Sequence, residues 1–488
     1  MASYSQITQE SVRVESIKGR ASVVDNRLAI DVGSDMMFSN EIVIPRQRYP
    51  GEVNPALPDW EEFPLPDQVG KYGTRAEFLR APKWTAQWVH FPERLEAVMA
   101  GRYHDVRPLH FEGIFTLVCN FRCPHCSRRP TRTKWVEGGT WDNSTPVNSL
   151  NTLSLEGLKA ALDQIARMRS DEYIGVIWGG GDPTSNPWVY DAMAYAKALG
   201  IRGSFLTNGV FLDVERVLDM EPILTRVSLN CGTEDVYRRF HGYPKDWDYF
   251  PRALRSIRLF GRRKLERKSR TLFGISLIVD ERNLDDVVAA TDYVRQVEVE
   301  EGPGAIDYVI ARPVMNYSHF DHRFAAVRDG TKERALDRIL SQVRGRLDSC
   351  DVPLVLIKDS FDPPPSWDFY EDLGTDCLAY GWASEVRHNG DVQLCSDSYG
   401  NPEYTVGNLF EAPLTEIWRS NRRLETLARI NKKECFRVQC PHNSRGHHLN
   451  RIFHQVERFR REGRIDEVRL WAERLREVTL PLRHSFFL

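Results

Sequence analysis

The stretch Leu117-Val118-Cys119-Asn120-Phe121-Arg122-Cys123-Pro124-His125-Cys126 decides how the chain is read. Its three cysteines follow the spacing Cys-x3-Cys-x2-Cys and stand directly after a strand-like run, Leu109 to Val118. Three thiolates so placed can hold three irons of a [4Fe–4S] cube. The fourth iron then has no protein ligand, whereas an electron-transfer ferredoxin supplies four cysteines. An open iron binds a substrate or cofactor through nitrogen and oxygen. The alternative at this point is a zinc knuckle completed by His125.

Outward from the cysteines, strand and helix patterns alternate. Strand-like runs are Leu109 to Val118, Tyr173 to Trp178, Arg202 to Thr207, Arg226 to Leu229, Thr271 to Val279 and Ile306 to Arg312. Helical periodicity falls between most of them, at Leu155 to Arg169, Trp188 to Leu199, Phe250 to Leu259 and Leu284 to Val299. Such alternation predicts an α/β fold of parallel strands joined by crossovers. A partial (β/α)6 barrel and a doubly wound sheet both satisfy it, and in each the ligands belong at the carboxyl ends of the strands. Three strand ends carry small or polar residues there: Gly179-Gly180-Gly181-Asp182-Pro183, Thr207-Asn208-Gly209 and Ser228-Leu229-Asn230.

The cysteine loop, the Gly-Gly-Asp-Pro turn and the Thr-Asn-Gly strand end, in this order, resemble the radical S-adenosylmethionine (SAM) superfamily over roughly residues 108 to 315. The resemblance implies the partial barrel, with Cys119, Cys123 and Cys126 holding a [4Fe–4S] cluster whose open iron chelates SAM. It implies that Gly180, Gly181 and Asp182 bind the methionyl amino group. Thr207, Asn208 and Ser228 become candidates for its ribose or carboxylate, and His125 for stacking on adenine. Asp182 stands where the family more often has Glu, and His125 where it more often has an aromatic residue. The implied chemistry is one-electron cleavage of SAM to methionine and a 5′-deoxyadenosyl radical, which abstracts hydrogen from an unactivated C–H bond. Water and oxygen must be excluded from such a site.

A second cysteine group follows. Cys377 and Cys395 enclose His388-Asn389-Gly390-Asp391, then come Gly407-Asn408-Leu409 and Ile417-Trp418, and Cys435-x4-Cys440 closes the set. Four thiolates fit structural zinc or a fully ligated cluster. The Cys…Gly-x4-Cys hairpin followed by Gly-Asn-Leu and Ile-Trp resembles the SPASM/twitch extension that follows radical SAM barrels. With four cysteines, that resemblance implies one auxiliary [4Fe–4S] cluster. The expected organisation is an N-terminal extension of unassigned role (1–106), the barrel (107–320), a linker or helical connection (321–369), the small twitch/SPASM-like domain (370–445) and a charged helical tail (446–488). On that tail Ile452, Phe453, Val456 and Phe459 share one side, and its arginines read as a solvated face covering the preceding domain.

Composition bounds the rest. Among 488 residues, 66 Lys and Arg balance 68 Asp and Glu for a net charge of −2, which argues against a dedicated nucleic-acid binder. Hydrophobic residues at 41% and aromatics at 11% suffice for a buried core in each unit, which excludes general disorder. No apolar run reaches the ~20 residues that span a bilayer, and the start shows no basic-then-apolar signal pattern. A cytoplasmic location is therefore expected, and an odd cysteine count of 9 suits metal ligation better than disulfides.

The resemblance makes the chain an enzyme of the oxidoreductase, epimerase or lyase type. The expected substrate is a small polar molecule of carbohydrate origin, such as an amino sugar, cyclitol or nucleotide sugar. The alternative is a maturase of a ribosomally made peptide, and a non-enzymatic iron–sulfur protein is the remote one. Flavodoxin or ferredoxin is the expected one-electron donor. Arg128 and Arg129 are candidates for clamping an anionic group of the substrate. Cys231, directly beyond the fourth strand, is a candidate hydrogen-atom donor to a substrate radical, against the alternative of a buried apolar thiol.

Overall fold

The computed structural model describes residues 20–24, 27–31, 36–38, 88–126, 151–313, 330–356, 376–396, 401–430 and 445–478. The chain divides into two units, one of residues 1–106 with 448–488 and the other of residues 107–447. In the first, β1 (Arg20–Val24), β2 (Arg27–Asp31) and β3 (Met36–Phe38) pair antiparallel, and α1 spans Pro92–Met99. Val12 to Ile17, which opens with the apolar–polar alternation of a strand, lies outside the described residues.

The second unit carries the alternation. Its elements run β4 (His110–Ile114), α2 (Leu155–Arg167), β5 (Gly175–Trp178), α3 (Val189–Ala198), β6 (Arg202–Thr207), α4 (Val214–Met220) and β7 (Leu224–Ser228). They continue through α5 (Glu234–His241), α6 (Tyr249–Glu266), β8 (Leu272–Val279), α7 (Asp286–Glu301), β9 (Tyr308–Pro313), α8 (Gly330–Asp348) and β10 (Leu354–Leu356). The sheet order from β10 to β4 follows the sequence without reversal, and every neighbouring pair is parallel. A doubly wound sheet reverses its strand order at a switch point. This one does not, so of the two architectures the open barrel is the one formed.

Local chemistry explains the elements. Ser154 caps α2 by accepting the Gly157 N–H, and Leu158, Ala161, Leu162 and Ile165 recur at helical spacing and are buried. Phe273 stacks on Phe260 of α6 at 4.2 Å, which fixes the helix-covered face of the sheet. Two helices were not visible in the periodicity, α4 and α5, because each spans only about two turns. The segment 321–369 read as a connection holds α8 and also a strand, β10, which adds to β9 in parallel.

The cysteine-rich segment is joined to the barrel rather than standing apart from it. β11 (Ala383–Arg387) pairs parallel with β4 through five residue pairs, from Ala383 with His110 to Arg387 with Ile114. β12 (Asp391–Gln393) and β13 (Thr405–Asn408) then extend the sheet antiparallel. Gly390 closes the β11–β12 hairpin at φ +85°, and a Cβ there would stand 2.4 Å from the Phe410 ring. α9 (Leu414–Arg419) and α10 (Asn421–Arg429) follow, with Trp418 edge-on to Phe111. Gln164 of α2 accepts from Leu414 N and donates to Leu409 O, tying the two parts again.

The charged tail forms α11 (Arg445–Arg461) and α12 (Ile465–Val478). The apolar stripe read on it is buried as expected, but its partners lie in the N-terminal segment. Phe453 meets Trp88 edge-on at 5.3 Å, and the Tyr103 hydroxyl donates to Glu457. Glu457 also accepts from Arg460 and Arg461, and these partners pull its carboxyl from the ordinary 4.5 to about 2, with Arg460 foremost. A carboxyl lowered on folding stabilises above its unfolded value and loses that contribution as pH falls toward about 2. Glu457→Gln should therefore lower the thermal midpoint at pH 7. It should also flatten the acid loss of stability between pH about 4.5 and about 2, as calorimetry across that range will read.

Candidate functional site

β4 runs into the cysteine loop, and the neighbouring strand ends hold that loop in place. Gly181 N donates to Thr116 O and Asp182 N to Val118 O, so the end of β5 runs as an extra ladder beside residues 116–118. A Cβ at Gly181 would lie 2.2 Å from Val118 O, and one at Gly180, whose φ is +112°, 2.4 Å from Thr116 O. Glycine is required at both positions by this close approach of two backbones.

The Asp182 carboxylate is 2% exposed and surrounded by protein donors. It accepts from Thr184 N at 3.0 Å and Thr184 Oγ1 at 2.6 Å, from Thr207 Oγ1 at 3.0 and 3.1 Å, and from Asn208 N at 2.7 Å. Burial raises its pKa, and these hydrogen bonds oppose the rise. In this structure the Asp182 oxygens clamp the ends of β5 and β6, a role that the reading of Asp182 as a ligand for an ammonium group did not include. Thr207 is buried in the same clamp, and its hydroxyl also accepts from Gly209 N. Asn208 reaches the cysteine loop, donating to Asn120 Oδ1 at 2.7 Å while its Oδ1 accepts from Val210 N.

The thiols of Cys119, Cys123 and Cys126 are half-buried and outside any disulfide. Burial pushes the Cys119 thiol well up, and Asp182, Cys123 and Cys126 add to the rise, which places the three thiols within electrostatic reach of one another. Phe121 N donates to Cys119 Sγ at 3.3 Å. Three neighbouring thiols, with a backbone N–H aimed at one of them, suit a cationic iron centre, which takes their protons' place on binding. Among the described residues, no three His, Cys, Asp or Glu side chains converge on one ion-sized point. His125 has a different partner from the one a zinc knuckle needs: its Nδ1 faces Arg282 Nη2 at 3.1 Å, and its ring lies against Phe240 at 4.3 Å. Arg282 in turn pairs with Asp280 and lies over the same Phe240 ring.

Beneath the loop lies a residue that the sequence did not single out. His241, the last residue of α5, is 2% exposed and stacks on Phe121 at 4.5 Å. Its Nδ1 is 3.2 Å from Cys123 Sγ, and its carbonyl accepts Arg122 N. Burial lowers its pKa to about 3, so the ring is neutral at pH 7. Only the fold brings it to the cysteines, across 118 positions of sequence.

Cys231 has no exposed surface, and burial raises its thiol pKa with Asp286 adding to the rise. The thiol packs as a core residue, the form that the alternative to the hydrogen-atom donor described. Ser228 closes β7, half-buried, on the sheet face opposite Phe273 and its helix. Arg226 and, across β8, Tyr308 share that face, as does Arg312 four residues along β9. Burial lowers the pKa of Arg226, Tyr308 opposes this, and Arg312 adds to it, so two guanidinium groups stand near each other there. Cys377 and Cys395 are half-buried and not disulfide-bonded, just before β11 and just after β12. Cys435, Cys440, Arg128 and Arg129 lie outside the described residues.

Residues 114–294 match the family model of the radical SAM superfamily, and residues 377–441 match the SPASM iron–sulfur cluster-binding domain. Among curated relatives, the chain is 23% identical over 327 residues to the Fe-coproporphyrin III synthase of Methanosarcina barkeri, covering 62% of this chain and 71% of that enzyme. It is 22% identical over 327 residues to the serine-type anaerobic sulfatase-maturating enzyme of Bacteroides thetaiotaomicron, covering 63% of this chain and 73% of that enzyme. It is 27% identical over 149 residues to the mycofactocin maturase MftC of Mycobacterium tuberculosis, which is 30% of this chain and 33% of that protein. Among solved structures, Streptococcus suis SuiB bound to S-adenosylmethionine superposes with a TM-score of 0.45 at 15% identity, covering 68% of this chain and 69% of that one. No helix among the described residues is long and apolar enough to cross a membrane.

The clamp gives a direct test. Asp182→Ala leaves the buried Asn208 N–H and the Thr207 hydroxyl without their acceptor, at a cost of about 3 kcal/mol. Thermal unfolding of the metal-free protein should drop accordingly, and iron uptake should fall with it. An ammonium ligand would behave differently: its loss would leave unfolding and iron content unchanged and weaken only SAM binding.

Proposed function

From a chain that carries a radical SAM superfamily domain followed by a SPASM domain, we propose a maturase that modifies a peptide or protein side chain. Support comes from the likeness to a sulfatase-maturating enzyme over 63% of the chain, together with that to a mycofactocin maturase. The expectation of a carbohydrate-derived substrate has no support among these relatives and gives way to the alternative. A second reading, an iron porphyrin as substrate, rests on the likeness to Fe-coproporphyrin III synthase over 62% of the chain.

In this reading Cys119, Cys123 and Cys126 hold a [4Fe–4S] cluster, and Cys377, Cys395, Cys435 and Cys440 hold an auxiliary one. With SAM bound, the first cluster supplies reductive cleavage to methionine and a 5′-deoxyadenosyl radical, its electron coming from a flavodoxin or ferredoxin. The chain's own work is to position and to exclude. Asp182 and Asn208 hold the cysteine loop against β5 and β6. Phe121, Tyr237, Tyr243 and His241 pack rings around its underside, where water would otherwise reach the thiolates. Ser228, with its side chain on the face away from the helices, is the candidate for a polar group of SAM. Arg226 and Arg312 on that face are the candidates to meet an anionic group of the substrate.

Anaerobic reconstitution should give about eight irons per chain, from two cubes. Cys377→Ala with Cys395→Ala should leave about four and retain SAM binding, and about four irons with one zinc in the wild type would refute the auxiliary cluster. Release of 5′-deoxyadenosine should rise with a precursor peptide or protein. A rise with iron coproporphyrin III alone would select the second reading, and a rise with nucleotide sugars would restore the first expectation.

The arginine pair is tested separately. Arg226→Gln should raise KM for an anionic substrate about tenfold, or ~1.4 kcal/mol, while substrate-free SAM cleavage stays at its wild-type rate. An unchanged KM would remove Arg226 from the substrate site.

A further inference from the structure

The contact between His241 and Cys123 joins two residues 118 positions apart, and the ring nitrogen that carries the proton decides whether the contact can donate to the sulfur. Nε2 faces two groups at 3.5 Å, the Asn230 amide nitrogen and the Leu229 carbonyl oxygen. Asn230 is held firmly. Its Oδ1 accepts Ile278 N at 2.8 Å, and its backbone carbonyl accepts Asn283 Nδ2 at 2.8 Å. Its backbone sits at φ +61°, a conformation asparagine tolerates better than most residues. With Oδ1 occupied by Ile278, the nitrogen end of the Asn230 amide must be the end turned toward His241. That end only donates. An Nε2 that accepts from Asn230 leaves the proton of the neutral ring on Nδ1, aimed at Cys123 Sγ. The opposite tautomer, donating to Leu229 O, would set the Nδ1 lone pair against the sulfur. That arrangement suits a protonated thiol but not a thiolate, which has no proton to offer.

We propose that His241 is a positioning residue whose Nδ1–H, oriented by Asn230, donates a hydrogen bond to the Cys123 thiolate and raises the reduction potential of the cluster that this cysteine holds. The inference rests on the reading of Cys123 as a cluster ligand. Hydrogen bonds to cluster sulfur favour the more negative, reduced state, and they are among the features that set such potentials. Partners beyond the ligands orient them and tune the metal. The docking of α5 serves this geometry: Arg122 N donates to the His241 carbonyl, Phe121 stacks on the ring, and Gly242 at φ +66° ends the helix against Arg122 O. The chain thus meets the ligand loop at the backbone and the side chain of one residue.

The experiment is an EPR-monitored redox titration of the reconstituted full-length protein, following the cluster signal that changes on adding SAM. His241→Phe keeps the ring's shape and removes the donor. It should cut the reduced-to-oxidised ratio at the wild-type midpoint about tenfold, a fall of about 59 mV for a one-electron couple. His241→Asn, whose amide nitrogen can stand near the Nδ1 position, should recover most of that shift. An unchanged midpoint in His241→Phe overturns the proposal. Because the phenylalanine variant can fail to take up iron, pulsed EPR on wild-type protein made with 15N-histidine gives a second reading. A 15N coupling to the SAM-responsive signal that survives His125→Gln supports the bond, and no coupling overturns it. A SAM-responsive signal that survives Cys123→Ala would take the cluster off this loop and overturn both the bond and the assignment beneath it.

Discussion

The Asp182 carboxylate, buried and accepting from Thr184, Thr207 and Asn208, is the interaction on which the geometry of the cysteine loop depends. A buried carboxylate is costly unless it is satisfied, and here the donors come from two strand ends. The cost of burying the group is offset only when β5 and β6 end at the right height relative to each other. Through Asn208 the same clamp reaches Asn120, inside the ligand loop. Through the Asp182 backbone N–H it reaches Val118, one residue before Cys119. Local errors in strand register would therefore appear directly as misplaced thiols.

Around this clamp the barrel holds the loop on two sides. The glycines of the turn bring the β5 backbone against residues 116–118. From the other side, α5 presents His241 to Cys123 and its carbonyl to Arg122. The chemistry expected of an open cluster needs rigid thiolates in a dry surrounding, and both contacts are made by hydrogen bonds, with aromatic rings beside the one at His241. The same economy extends to the C-terminal cysteines. β11 lies directly on β4, the strand that delivers the first cysteine group, so a single sheet connects the two.

Much of this was legible in the order of residues. The six strand runs and the amphipathic stripe of Ile452, Phe453, Val456 and Phe459 are local patterns, and each formed the element expected. Individual roles were less legible. Asp182 and Thr207 read as ligand-binding polar residues at a strand end, and became each other's partners once the strand ends met. Cys231 read either as a donor at the barrel mouth or as a buried thiol, and only the fold shows that it has no exposed surface. A side chain's position along a strand says which end it occupies; which neighbours will consume its hydrogen bonds depends on strands that are distant in sequence.

By itself the sequence determined the periodicities and the donor set: parallel strands alternating with helices, three thiols on a short loop, glycines where backbones must touch. These are properties of spacing and side-chain chemistry, which act over a few residues. Only the tertiary structure decided that the sheet is an open barrel wound in one direction and that β11 adds to β4. It also decided that the C-terminal helix packs on Trp88 and Tyr103, and that His241 stands beside Cys123. Each of those is a contact between segments far apart in the chain. It forms because packing brings their apolar faces and hydrogen-bonding groups together, and no local pattern records it.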